Sequence, residues 1–262
     1  MYENLFVLKI TFLGTGTSQG LPVIGCKCDV CTSEDPLDKR LRCSAMIEYK
    51  GKTLVIDSGP DFRQQMLREK VERLDAVIFT HEHKDHIAGL DDIRSYNWIQ
   101  QKPMDVYADE RVQEAITRRE YAYVFEDKLY PGIPKMNLHL IEGNKNFFID
   151  DIEIIPIRVL HYQLPIFGYR IHDLTYIVDA SFISDEEKEK IKGSEILVLN
   201  ALRKKKHISH FCLDEALEVI SEMKPRKAYL THLSHMLGRH QDIQKELPEN
   251  VFLAYDGLSV SI

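Results

Sequence analysis

Short apolar runs alternate with longer amphipathic stretches along the chain of 262 residues. Eight runs rich in β-branched residues predict strands, and a glycine ends or directly follows each of the first three. They are residues 7–14, 45–50, 52–59, 74–80, 152–160, 174–180, 194–201 and 226–232. Apolar residues at helical spacing, with polar residues opposite, predict helices in four further segments. These segments are residues 62–70, 109–120, 184–192 and 213–223.

The order of these elements indicates a fold class. Early strands follow one another directly, whereas later strands alternate with helices, which predicts an α/β fold of mixed sheets covered by helices. One domain over residues 1–262 is expected, with residues from about 101 to 138 interpreted as an insertion. The aromatic stretch YAYVFEDKLYPG within it suggests a lid or a subunit contact. A surface helix and loop with partly buried aromatic residues is the favoured interpretation.

Composition narrows the class of protein. Hydrophobic residues make up 44% of the chain and charged residues 29%, as in a soluble globular protein with a sizeable core. The start, MYENLFVLKI, does not resemble a signal peptide, and no apolar run approaches the roughly 20 residues that span a bilayer. A cytoplasmic protein without a membrane partner is therefore expected. The net charge of −7 argues weakly against a broad nucleic-acid-binding face.

Potential metal-binding side chains are most densely clustered in FTHEHKDHIAGL, residues 79–90, at the end of a predicted strand. Alternate residues of an extended segment point the same way, so His81 and His83 can reach one point. Asp85 and His86 follow after the chain has turned and can reach a second point nearby. Imidazole and carboxylate groups are good ligands for zinc, manganese or iron. Four such groups on one loop suggest two metal ions rather than a merely solvated polar loop.

This pattern resembles the metallo-β-lactamase superfamily. The resemblance implies an αββα sandwich, in which two mixed β-sheets are flanked by helices. It also implies further motifs in a set order, beginning with a first strand that ends in glycine, as FLGTG does. The others match at Asp57 in VIDSG, His161 in VLHYQ, Asp179 in YIVDAS and His232 in YLTHLSH. The matches extend over nearly the whole chain.

The resemblance divides the metal ligands between two ions. The first ion is held by His81, His83 and His161, and the second by Asp85, His86 and His232. Asp179 would bridge the two ions, and Asp57 would orient the ligand loop without touching a metal. A carboxylate suits that role because a histidine that ligates a metal needs its other ring nitrogen fixed.

A second metal site is predicted from GCKCDVC, which places Cys26, Cys28 and Cys31 within six positions. Three thiols so spaced can face one zinc ion, and His235 in THLSH is the natural fourth ligand. We interpret the site as structural, because four protein ligands leave no open position for water or substrate. The alternative is three buried thiols, which is the state we expect for the two remaining cysteines.

The surroundings of this site narrow the subfamily. LPVIGCKCDVC, THLSH and AYDGLSVSI resemble the cyclic phosphodiesterases of bacterial phosphonate breakdown, which open a ribosyl 1,2-cyclic phosphate. His210 precedes a predicted helix, where phosphodiesterase and tRNA 3′-processing branches carry a histidine beside the metals. A simple helix-start residue is the alternative for His210, and His207 competes for the catalytic role.

The resemblance implies hydrolysis of a small phosphodiester. Two divalent metals (zinc, manganese or iron) would polarise the phosphate and activate a water molecule. Asp85 would also orient that water, and His210 would stabilise the charged oxygens or protonate the leaving alkoxide. The exact ester stays open: a cyclic ribosyl phosphate, a cyclic nucleotide or another small diester. The same resemblance favours a homodimer.

Three rival functions remain. A tRNA 3′-end endonuclease would carry a Gly- and Pro-rich arm, which the sequence lacks, and the basic run RKKKHISH is better interpreted as a solvated loop. Nucleic acid is therefore disfavoured as a partner. A thioester or lactam hydrolase is disfavoured by His210. A non-catalytic accessory protein of cofactor biosynthesis is disfavoured by the complete set of ligands.

Overall fold

The computed structural model describes residues 7–126 and 131–262. Short strands dominate these two ranges, and most are connected by tight turns or single helices. In chain order they are β1 (Lys9–Gly14), β2 (Ser44–Tyr49), β3 (Lys52–Ile56), β4 (Ala76–Ile78), β5 (Met104–Ala108), β6 (Met136–Leu140), β7 (Phe147–Ile149), β8 (Ile152–His161), β9 (Leu164–Ile171), β10 (Leu174–Tyr176), β11 (Phe182–Ile183), β12 (Ile196–Asn200), β13 (Lys227–Thr231), β14 (Val251–Leu253) and β15 (Ser259–Ser261).

The strands form two mixed sheets. The first sheet has the order β15-β1-β2-β3-β4-β5-β6, antiparallel up to β3 and parallel from β3 onward. The second has the order β11-β8-β9-β10-β12-β13-β14, and β7 also pairs with β8. Its pairs are antiparallel as far as β10 and parallel beyond it. Along its path, each sheet therefore has three antiparallel and three parallel strand pairs, which confirms the mixed sheets that the element order predicts.

Helices flank the outer faces of the two sheets. They are α1 (Phe62–Glu69), α2 (Lys84–Ile87), α3 (Arg94–Gln100), α4 (Glu110–Glu114), α5 (Asp185–Ile191), α6 (Leu213–Met223) and α7 (His240–Glu246). A π-helical segment, Ala115–Glu120, continues α4. Short 3-10 turns lie at Pro36–Asp38, Leu90–Ile93 and Ala122–Val124. No helix within the described ranges is both long and apolar enough to cross a bilayer.

Three apolar cores hold these layers together. Between the sheets, fully buried side chains such as Phe12, Ile47 and Tyr169 meet face to face. Outside the second sheet, α6 turns apolar residues at helical spacing, including Ala216 and Ile220, toward the strands. A third cluster joins the first sheet to α1 and its neighbours. The order helix, sheet, sheet, helix confirms the predicted αββα sandwich.

The segment 101–138 contains more sheet than its sequence predicted. β5 and the beginning of β6 extend the parallel edge of the first sheet, while α4 occupies part of the predicted helix. The lid or subunit-contact hypothesis for the aromatic stretch lies partly outside the described residues, since 127–130 are not among them. In the described part, Tyr121 is buried, and its hydroxyl donates to the Ile87 carbonyl. That contact supports the loop carrying the histidine cluster.

Candidate metal centre

The predicted ligands converge where strands of both sheets end. His81 lies shortly after β4, His161 ends β8, Asp179 follows β10 and His232 follows β13. Asp179 lies at the centre: its Oδ2 is 2.7 Å from His86 Nε2, and its Oδ1 is 2.8 Å from His232 Nε2. His81 Nε2 lies 3.9 Å from the same carboxylate. Residues far apart in sequence thus form one buried polar cluster.

Asp57, buried beneath this cluster, determines which nitrogens face it. Its Oδ1 accepts from the Thr80 backbone N–H, and its Oδ2 accepts from both the Thr80 hydroxyl and His86 Nδ1. Because Thr80 gives its hydroxyl proton to Asp57, its oxygen must accept the Nδ1 proton of His81 at 2.9 Å. His81 and His86 therefore both present the Nε2 lone pair to the centre, as metal ligands must.

The contact between His86 and Asp179 tests whether a metal fits. With Nδ1 bound to Asp57, Nε2 of neutral His86 has only its lone pair, yet it faces Asp179 Oδ2 at 2.7 Å. Neither atom has an aligned hydrogen-bond partner within the described chain. Two buried acceptors at this distance repel unless a cation shares them. The tautomer of His161 is set in the same way, because its Nδ1–H donates to the Ser209 carbonyl at 2.8 Å and leaves Nε2 as the free acceptor. The donor set therefore fits divalent cations.

The charges of the centre favour cations too. Burial alone would lower the pKa of His86, but the carboxylates of Asp57, Asp85 and Asp179 raise it well above its usual value. Burial would also lower the pKa of His232, but the charge of Asp179 outweighs it and raises that pKa to about 10. Burial would raise the pKa of Asp179, whereas the two histidines hold it well below its usual value. Surroundings that favour positive charge on these imidazoles also favour a metal cation beside them.

The remaining predicted ligands border the same centre. His83 Nδ1 lies 3.1 Å from His81 Nε2, and its ring centroid is 5.2 Å from that of His161. Asp85 Oδ2 lies 3.2 Å from His86 Nε2. The tightest sets, with ligand atoms within 4.8 Å of one another, differ from the predicted division between two ions. They are His81, His86 and Asp179, and His161, Asp179 and His210. The division of ligands therefore stays a prediction.

His210, rather than His207, adjoins the cluster. Its Nδ1 lies 3.2 Å from Asp179 Oδ1, and its ring is 4.6 Å from that of His161 and 5.0 Å from that of His232. Burial lowers the pKa of His210 to about 4, although Asp179 opposes the shift. His207 lies outside, with its Nδ1 bonded to the Ser209 backbone N–H at 3.3 Å.

Three strand-end residues adopt a left-handed backbone that favours glycine. The φ angles of Asp57, Asp179 and His232 are 64°, 59° and 55°. Such conformations cost on the order of 1–3 kcal/mol each and persist only when surrounding packing enforces them. Asp57 and His232 directly follow β3 and β13, and Asp179 lies three residues after the end of β10. Three of the ten non-glycine residues with a positive φ in the described chain therefore belong to this one cluster.

The predicted zinc ligands also come together. The sulphur atoms of Cys26, Cys28 and Cys31 lie 3.4, 3.3 and 3.7 Å from His235 Nδ1. Tetrahedral zinc with usual bond lengths would separate sulphur from nitrogen by about 3.5 Å. A backbone hydrogen bond from Cys31, followed by the bond to His235, lowers the pKa of Cys28 to about 6, despite partial desolvation. Zinc binds the thiolate form, whereas burial raises the pKa of Cys31 to about 11. The fit of these four groups to the ion therefore rests on their donor atoms and distances.

A buried polar cluster links this region to the end of the chain. Arg40 Nη1 donates to Thr15 Oγ1 at 2.7 Å and to the Ala254 carbonyl at 2.6 Å. Its Nη2 bonds His240 Nδ1 at 3.0 Å. Burial and then the Arg40 charge lower the pKa of His240 to about 4. Neutral His240 is therefore an acceptor that satisfies a buried guanidinium.

Two supporting residues were not predicted from the sequence. The Thr80 hydroxyl relays from Asp57 to His81, and the Ser209 carbonyl fixes His161. A hydroxyl residue directly before the first histidine in FTHEH is a usable sequence signal. A backbone carbonyl leaves no such signal, because every residue has one.

Comparison with known proteins shows the family and the fold. The Beta-lactamase superfamily domain matches residues 52–233. A solved structure described as a new diphosphatase from the PhnP family is 37% identical, with a TM-score of 0.91, over 97% of this chain and 98% of that one.

Two curated relatives are longer than the aligned region. The chain is 40% identical over 257 residues to an octanoyltransferase of Porphyromonas gingivalis, covering 97% of this chain and 52% of that protein. It is 28% identical over 169 residues to the exodeoxyribonuclease WalJ of Streptococcus pneumoniae, covering 60% of this chain and 57% of the relative. The chain thus spans about half the length of these relatives. By its family match over residues 52–233 and its likeness to the PhnP-family structure, the chain belongs to the metallo-β-lactamase superfamily.

Proposed function

We propose that this protein is a phosphodiesterase that acts on small diesters with two divalent cations at the candidate metal centre. The observation that carries the proposal is the position of His210, with Nδ1 3.2 Å from Asp179 Oδ1 and its ring against those of His161 and His232. An extra histidine touching the proposed bridging carboxylate suits a reaction that develops charge beside the metals. Lactam hydrolysis does not need it.

The cations would be held by the ligands already named. They are His81, His83, Asp85, His86, His161, Asp179 and His232. When bound, such ions polarise phosphoryl oxygens and lower the pKa of water; zinc, manganese and iron all suit imidazole and carboxylate donors. A separate structural zinc would be held by Cys26, Cys28, Cys31 and His235.

Residues of the chain itself would orient the metal ligands and supply a proton to the leaving group. Asp57 and Thr80 keep two imidazoles in the ligating tautomer. With Nδ1 of His210 facing Asp179, Nε2 is the nitrogen left for the substrate. A negatively charged diester beside the ring favours the imidazolium, opposing the burial that lowers the pKa of His210. His210 can then give its proton to the leaving alkoxide.

The relatives support a second candidate, hydrolysis of a diphosphate linkage. The solved PhnP-family protein is described as a diphosphatase, whereas WalJ is named an exodeoxyribonuclease and therefore cleaves diesters. Both reactions attack phosphorus and expel an oxygen leaving group. Substrate comparison separates them: a dialkyl diphosphate and bis(p-nitrophenyl) phosphate should be offered to the same metal-loaded protein.

The test measures turnover of bis(p-nitrophenyl) phosphate with added manganese or zinc, together with the metal content. Wild type is compared with Asp179→Ala and His210→Ala, and the exposed His172→Ala is the matched control. We expect both site variants to lose at least a hundredfold in kcat/KM and the control to keep its activity. His210→Ala should retain its metals. The proposal would be refuted if fully metallated wild type failed to hydrolyse phosphate esters but hydrolysed an octanoyl thioester.

A further inference from the structure

A cavity of about 570 Å³ opens beside the metal centre. Its size is within the range of small-molecule sites and exceeds the needs of a phosphate group alone. The lining residues are His83, Arg111, His161, Tyr162, Gln163, Leu164, Ile208 and Ser209. Two of them, His83 and His161, also belong to the candidate metal centre, so the cavity is continuous with the place where a phosphate would lie.

The remaining wall is largely apolar. Tyr162 and Ile208 are exposed by 50% and 68%, which is a high exposure for large apolar side chains. Leu164 adds to the same wall. Arg111 is the one guanidinium or ammonium group among the described lining residues, and Glu82 pairs with it. The cavity should therefore bind a neutral apolar group more favourably than a second anionic group.

The backbone of Tyr162 supports this interpretation independently. Tyr162 and Gln163 form the two-residue loop between β8 and β9, and Tyr162 has a φ of 57°. Hairpin turns with a positive φ at the first loop position usually have glycine there. A bulky aromatic side chain in this conformation is strained. Ser181 holds it in place, accepting the Tyr162 N–H at 2.9 Å. Strain retained at a cavity wall points to a role for the side chain.

We infer that this cavity binds the neutral, apolar arm of the substrate while the metal centre binds its phosphate, and that Tyr162 and Ile208 determine specificity for that arm. The inference rests on the proposed function, since it needs a phosphate at the neighbouring centre. It narrows the substrate class to phosphate esters with one ring-sized apolar substituent. Contact with Tyr162 would favour an aromatic or otherwise flat group.

Calorimetry on the metal-loaded protein tests this without turnover. Methylphosphonate, phenylphosphonate and phosphonoacetate offer the same phosphonate head with a small, an apolar and a charged arm. We expect phenylphosphonate to bind about 5- to 10-fold more tightly than methylphosphonate, and phosphonoacetate to gain nothing. Equal affinities for the methyl and phenyl compounds would overturn the inference. Tighter binding of phosphonoacetate would overturn it in favour of a charged arm held by Arg111.

Three variants locate the effect. Tyr162→Gly should abolish the preference for phenylphosphonate, leave methylphosphonate affinity unchanged and raise the melting temperature, because glycine relieves the backbone strain. Ile208→Ala should reduce the preference by a smaller factor. Phe148→Ala is the control, since Phe148 is 58% exposed on β7 and does not line the cavity. Full preference in both Tyr162→Gly and Ile208→Ala contradicts the inference. Failure of methylphosphonate itself to bind would instead contradict the proposed phosphate site.

Discussion

Asp57 Oδ2 accepts the Nδ1 proton of His86 at 2.7 Å, and neither side chain is exposed by more than 1%. The same oxygen accepts the Thr80 hydroxyl, which in turn accepts from His81. One buried carboxylate therefore sets the tautomer of two candidate ligands. Since both side chains are shielded from water, a substitution at Asp57 should change the orientation or tautomer of the candidate ligands at the metal centre.

Asp57→Asn should weaken metal binding by about 10- to 100-fold. An amide has only one acceptor oxygen, so it cannot accept from the Thr80 N–H, the Thr80 hydroxyl and His86 Nδ1 as the carboxylate does. Competition with a chelator of known affinity would measure this. Asp105→Asn is the control, because Asp105 bonds the partly exposed His139, which is not one of the candidate ligands. Unchanged affinity in Asp57→Asn would show that the tautomers are fixed by other means.

Thr80→Val should weaken metal binding less than Asp57→Asn does, by about tenfold. Valine keeps the β-branched shape but cannot relay between Asp57 and His81, whereas the Asp57–His86 bond survives. Thr80→Ser retains the hydroxyl and should bind metal almost as wild type does. The same chelator competition compares the two variants, and an equal loss in both would argue that packing, not the relay, matters at this position.

Cys28→Ser should release one zinc per chain and lower the melting temperature. The site ties residue 31 to residue 235, and closure of so long a loop restricts the unfolded chain. Elemental analysis and thermal unfolding measure the two effects. Cys212→Ser is the control, since Cys212 occupies the N-cap of α6, where serine serves equally well. Zinc content unchanged by Cys28→Ser would contradict a four-ligand site.

His240→Asn should reduce the loss of folding stability that occurs as the pH falls into the mildly acidic range. The folded pKa of about 4 lies below the usual 6.5, so between those values the unfolded chain binds the extra proton. The stability contributed by neutral His240 is thus complete above pH 6.5 and falls as pH drops toward 4, by on the order of 2–3 kcal/mol. Asparagine can still accept from Arg40 without titrating.

Urea unfolding at several pH values between 4 and 7.5 measures this. Wild type should lose more stability than His240→Asn across the window, and the two should change in parallel above pH 7. Parallel curves throughout would mean that His240 does not titrate differently in the folded and unfolded chains.

Local sequence patterns were enough to predict the class of fold and the side chains available for chemistry. Eight predicted strands correspond to observed ones because buried strands must be apolar and β-branched, whatever their partners. β9 was not predicted, although LPIFGYRI is apolar, because a proline and a glycine interrupt the pattern. The short strands β7, β11, β14 and β15 have too few residues for a periodicity to be read. Histidine and cysteine spacing indicated which residues could bind metals, because ligand chemistry is local.

The contacts among those residues could be identified from the three-dimensional packing alone. Thr80 and Ser209 support ligands through contacts that depend on the approach of β3 to β4 and of the His210 loop to β8. The choice of His210 over His207 required the position of Asp179, 31 residues earlier. The apolar cavity arises where α4, the β8–β9 hairpin and the His210 loop meet. Such contacts link distant segments, and their geometry depends on packing that no local pattern encodes.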